Sequence, residues 1–193
     1  MRKIALITLA FGVLSTTAYA DCKADLQAVM DGHLKAGPYH ADISIESASH
    51  KMTISSDVIL PDQFHMNMPQ AEVIKTAKGV WMKIGGKWQA MPAAVGNAMQ
   101  GPIDQAITKG MKSIKNLACL GTQTYANQSL VGYEFDSSGE FGGIKSTAHV
   151  VLYADPATNL PAYITVNGEA MGKKSTTTEH ITFDPGITIT PPK

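Results

Sequence analysis

Between Tyr39 and Met91 the chain alternates apolar and polar residues almost without a break. Tyr39, Ala41, Ile43 and Ile45 are apolar, and His40, Asp42, Ser44 and Glu46 fall between and after them. The pattern returns as Met52, Ile54, Val58 and Leu60 against Lys51, Thr53, Ser55 and Asp57. It continues as Phe64, Met66 and Met68 against Gln63, His65 and Asn67, then as Val80, Met82 and Ile84. Successive side chains on a strand point to opposite faces, so period-two alternation specifies a sheet with one apolar and one wet face. Consecutive strands of this kind form an antiparallel meander. Its Met-rich apolar side has to be covered by the protein's own helices, a partner or a ligand.

The rest of the chain supplies candidate cover. Leu26, Val29, Met30 and Leu34 follow helical spacing over 23–35, and Gly37-Pro38 ends that helix. Strands are expected at 39–47, 50–60, 63–68, 71–76, 80–84 and 87–90. Gly85-Gly86 suits the two-residue hairpin turn between the last two. Helices follow over 93–99 and 103–114, where Ile103, Ala106, Ile107, Met111 and Ile114 share one face. Strands resume at 117–126, 129–136, 144–154, 162–166 and 176–183. Gly139, Gly142 and Gly143 read as a mobile loop, and Asn167-Gly168 as a second hairpin turn. Strands and helices do not alternate, which excludes a parallel α/β sheet. The expected class is α+β: a single curved antiparallel β-sheet with helices packed as a lid on its concave apolar face.

Residues 1–20 have the form of a signal peptide: Arg2 and Lys3, an apolar run from Ile4 to Leu14, and a small-x-small site at Ala18-Tyr19-Ala20. The expected mature domain is 21–193, exported and without a transmembrane helix. Cys22 and Cys119 are the only cysteines. In an exported chain such a pair is expected to form a disulfide, and Asp21 before Cys22 does not suit lipid attachment. The formal charge is zero and Arg2 is the only arginine. A mature chain without arginine has no fork for phosphate, and nucleic acid is not an expected partner.

The residues do not form an enzyme-like constellation. His33, His40, His50, His65, His149 and His180 lack metal-binding spacing, and two cysteines are too few for a thiol cluster. No metal, cofactor or catalytic residue is expected. Glu134 and Asp136 share a strand face and read as a solvated pair. The methionines are more informative: Met52, Met66, Met68 and Met82 fall on apolar strand faces, with Met111 on a candidate lid helix. Methionine fills irregular space and adapts to varied apolar partners. The expected lining of an apolar cavity is Ile43, Ile45, Met52, Ile54, Val58, Phe64, Met66, Met82, Ile107 and Met111. Ordinary core filling is the competing reading.

Several stretches resemble the periplasmic lipoprotein-carrier superfamily, with its LolA/LolB-like fold. They are Leu60-Pro61-Asp62-Gln63-Phe64-His65-Met66, Gly79-Val80-Trp81-Met82-Lys83, Gly85-Gly86-Lys87-Trp88, and Val151-Leu152-Tyr153-Ala154-Asp155 with Asn159-Leu160-Pro161-Ala162. The resemblance implies a half-open β-barrel with a helical lid over a hydrophobic cavity. The family's lipoprotein carrier latches its lid with an early-strand arginine, and the mature chain here has none. The expectation is a monomeric periplasmic binding or carrier protein for a lipid or a lipidated protein. The alternative is a ligand-free envelope interaction or stress-sensor module on the same fold.

Overall fold

A computed structural model describes residues 18–95, 114–141 and 144–192, without the side chains of 18–21, 140, 141 and 144. Helix α1 (Ala18–Lys35) precedes six strands: β1 (Tyr39–Ser47), β2 (Lys51–Ile59), β3 (Gln63–Met68), β4 (Ala71–Thr76), β5 (Gly79–Ile84) and β6 (Lys87–Met91). Five more follow: β7 (Lys115–Tyr125), β8 (Gln128–Phe141), β9 (Ile144–Asp155), β10 (Leu160–Ala170) and β11 (Lys173–Phe183). All eleven belong to one open antiparallel sheet in the order β6-β5-β4-β3-β2-β1-β11-β10-β9-β8-β7. Two meanders are thus joined where β1 pairs with β11, from Tyr39↔Phe183 to Ser47↔Ser175. Of the expected helices at 93–99 and 103–114 the structure describes a helical start at 93–95 and Ile114, which is not helical; the rest lies outside the described residues. Ile107 and Met111 fall there too, as does nearly all of the expected leader.

The sheet has the alternation read from the sequence. Ile43 stands opposite Ile54 and Ile45 opposite Met52; Val58 faces Phe64, Met66 faces Val73, and Val73 faces Met82. Gly85 and Gly86 turn β5 into β6 with φ of 57° and 78°, a mirror-image turn whose twist matches the strands.

Three local expectations are corrected. Asn167-Gly168 is not a turn: it lies inside β10, paired with Thr176 and Ser175. The hairpin turns at Met171 and Gly172, with φ of 53° and 70°. Pairing β11 with all of β1 requires β11 to reach back to Ser175, whose partner on the other side is Gly168, so β10 runs through Asn167-Gly168; long-range pairing outweighs local turn preference. For the same reason β8 continues through Gly139, which is strand and not loop. In α1 the buried stripe is Cys22, Leu26, Val29 and His33, whereas Leu34 is exposed. His33 continues the i, i+4 step from Val29, and Leu34 lies a further 100° round the helix.

Helix α1 covers the half of the sheet built from the second meander. Cys22, Leu26 and Val29 pack with Leu117, Tyr133, Phe135, Val150, Leu152 and Ala154. Gly32 permits close passage over the β9–β10 turn: a Cβ there would come 3.1 Å from a Leu160 methyl. Cys22 is disulfide-bonded to Cys119 in β7, with Cα atoms 5.6 Å apart, so the expected pairing forms. A second buried cluster belongs to the first meander and β11: Tyr39, Ala41, Val58, Phe64, Met66, Val73, Val80 and Ile181.

Candidate functional site

The register brings the expected cavity residues of the first meander onto one face. Val58, Phe64 and Met66 are buried, while Ile43, Ile45, Met52, Ile54 and Met82 keep partial exposure on the same side. Ile43, Ile54, Met68, Met82 and Met91 pack on the edge of the second cluster. Among the described residues, α1 is the one helix that packs on this side of the sheet; its Cys22, Leu26 and Val29 pack with the other cluster, and His33 near its end reaches Tyr39 and Phe183 of this one.

This apolar face is graded along the β1–β11–β10 axis. At one end Tyr39 and Phe183 meet in register, and His33 of α1 closes over them, its ring 4.8 Å from Tyr39 and 5.6 Å from Phe183. Ala41 and Ile181 follow, then Ile43, Glu179 and Ile164 abreast, then Ile45, Thr177 and Val166. The row of Ser47, Ser175, Gly168, Ala148 and Ser137 comes last. A cleft of about 980 Å³ opens at that end of the sheet, lined by this row together with charged neighbours including Glu46, Lys115, Asp136 and Lys174.

Three polar groups lie within the apolar surroundings. His33 is buried and its Nε2 has no hydrogen-bond partner. Burial holds its ring at about 4, so it is neutral at physiological pH. Ser56, between Ala41 and Met66, is buried with its Oγ unpartnered. Glu179 is half-buried between two isoleucines with no hydrogen bond or ion pair among the described residues, and desolvation by these neighbours pushes its carboxyl up to about 7. Motif spacing singles out neither His33 nor Glu179. A pointer was present: Glu179 has the same parity as Ile181 and Phe183, on a strand whose other parity is Thr178, His180 and Thr182.

The opposite, convex face carries the hydrogen-bonded ionisable side chains. His40 Nδ1 lies 2.7 Å from Asp57, and Asp57, ahead of Asp42, raises its pKa. Glu72 accepts from Lys83 Nζ at 2.8 Å and pairs with His65 at 2.8 Å; these contacts, Lys83 first, hold its carboxyl below the usual range. His149 sits between Glu134 and Asp136, 2.9 Å from each, and Asp136 chiefly raises its pKa. The acidic pair expected to be solvated is therefore bridged by a histidine. Each cluster combines surface groups of opposite sign, and among the described residues none of these sets could hold a metal ion.

A wide, open, antiparallel sheet with a helix on its apolar face is the LolA/LolB-like fold, as the resemblance implied. No protein-family model and no curated protein matches the sequence. Solved structures do match in shape. LprF from Mycobacterium bovis is similar over 91% of this chain and 98% of its own, with a TM-score of 0.65 at 13% identity. The Mycobacterium tuberculosis lipoprotein LppX matches over 85% and 94%, with a TM-score of 0.60 at 7% identity. In the Pseudomonas aeruginosa MucA/MucB complex the match covers 86% of this chain but 59% of the other, with a TM-score of 0.50 at 12% identity.

Proposed function

We propose that this protein is an exported binding or carrier protein of the cell envelope, acting in the periplasm as a monomer and holding a lipid or the acyl chain of a lipidated protein. The observation that carries this reading is the apolar face of the first meander. Helix α1 packs over the other cluster, and Ile43, Ile54, Met68 and Met82 keep exposed surface beside a fully buried floor. Each ligand CH₂ buried there would contribute about 0.8 kcal/mol, so a long chain can bind by apolar contact alone. That suits a mature chain with no arginine. The match to the lipoprotein LppX supports an envelope setting, and the Cys22–Cys119 disulfide suits an oxidising compartment.

Native mass spectrometry of gently purified protein, followed by lipid extraction, tests the reading. A recovered lipid and saturable uptake of an apolar dye are expected. Absence of both overturns it. A second reading, a protein-interaction module, draws on the MucA/MucB structure, in which a protein of this fold is in complex with another protein. A periplasmic protein partner that binds equally well after the apolar face is made polar (Met82→Asp) would favour it.

A further inference from the structure

We propose that Glu179 is a hydrogen-bonding anchor in the floor of the apolar face, and that the ligand is an uncharged lipid with a carbonyl or hydroxyl oxygen, such as an acylglycerol. The proposal rests on the binding reading above and names the chemistry that the same face selects.

The geometry is specific. Glu179 is on the β11 face that carries Ile181 and Phe183 into the core, in register with Ile43 on one side and Ile164 on the other. Its neighbours on this face are Ala41, Ile43 and Ile45 of β1, Ile164 and Val166 of β10, and Thr177 and Ile181 of its own strand. None of them titrates. On the stripe that α1 buries, the titratable side chain is His33, two register rows away against Tyr39 and Phe183, and neutral. No cation among the described residues meets the carboxyl, and desolvation alone sets its protonation. A protonated carboxyl offers one O–H donor and needs an acceptor. The half-buried donor has no protein partner among the described residues, and a ligand oxygen that displaces water from this face satisfies it.

The position along the trough fits an amphiphile. On the β1 side of Glu179 the face continues across the half-exposed Ile43, Ile54 and Met68, which suits an acyl tail. Along β11 it runs through Thr177 to the small Ser47, Ser175 and Gly168 row at the cleft. Glu179 therefore lies where the polar junction of a lipid would meet its chain. Ionised, the same carboxyl would repel an anionic head and lose its donor. The site selects against fatty-acid anions and releases a neutral lipid as pH rises through 7.

The test uses the full mature chain, 1-monooleoylglycerol and an apolar dye, with Glu179→Leu and Glu179→Gln variants. At about pH 5.5 the wild type is expected to bind monooleoylglycerol roughly tenfold more tightly than Glu179→Leu does, while both take up the dye alike. Wild-type affinity for monooleoylglycerol is expected to fall by about tenfold by pH 8, as nine-tenths of the carboxyl ionises, and Glu179→Gln is expected to show no such fall. Equal monooleoylglycerol binding by wild type and Glu179→Leu, or a pH dependence that survives in Glu179→Gln, overturns the anchor while leaving the apolar trough standing. Failure of the wild type to take up either probe overturns the binding reading itself.

Discussion

Cys22, at the buried start of α1, is bonded to Cys119 in β7, an edge strand of the sheet, across 97 positions of sequence. The bond pins the helix to the end of the second meander. Between those two cysteines lie the rest of α1, the whole first meander and residues 92–114, so one covalent link closes half the chain into a loop.

Reduction or Cys119→Ser is therefore expected to lower stability by roughly 4–5 kcal/mol in the chain-entropy account. Denaturant midpoints compared with and without reductant check this. Wild type and Cys119→Ser should differ under oxidising conditions and converge when both are reduced.

His33 and Glu179 are expected to tilt stability in opposite directions with pH. The ring of His33 is at about 4 when folded against 6.5 when free. Between those values the unfolded chain takes up a proton that the native state refuses, so stability falls as pH drops from 6.5 to 4, by roughly 3 kcal/mol in full. Glu179 is raised to about 7 from 4.5. Its contribution is complete below 4.5 and is lost as pH rises through 7. Glu179→Gln should steepen the acid loss, and His33→Phe should leave a protein that weakens as pH rises. Urea unfolding across pH 4 to 7 reads both slopes; parallel curves for all three proteins would contradict them.

The three histidines should also separate in an NMR titration. His40 and His149 are expected to titrate above the ordinary value because Asp57 and Asp136 accept from them, whereas His33 should remain neutral down to about 4. Asp136→Asn should lower the His149 midpoint without moving that of His40, since the two lie in different clusters.

Met66 sits in register between Ser56 and Val73 and is buried in the second cluster. Met66→Ala is expected to cost roughly 2–4 kcal/mol through lost burial and a residual cavity. Met66→Asp should abolish either folding or dye uptake, because an unpaired carboxylate would replace a floor side chain. Circular dichroism and dye titration separate the two outcomes.

Much of this architecture is written in the local pattern. Alternation from Tyr39 to Met91 defines strands, faces and the Gly85-Gly86 turn because strand periodicity and turn chemistry are properties of adjacent residues. The Cys22–Cys119 pair was likewise legible, since only two cysteines exist. What local pattern could not decide was anything set by pairing at a distance. The β1–β11 register carried β10 straight through Asn167-Gly168 and moved the turn to Met171-Gly172. The tilt of α1 on the sheet chose His33 over Leu34 for burial. The same β1–β11 and β10–β11 pairings set Glu179, half-buried, between Ile43 and Ile164. A glutamate on an alternating strand costs little in solvent. Its protonation changes only when strands from opposite ends of the sequence remove water from around it, and that removal is a property of the tertiary structure alone.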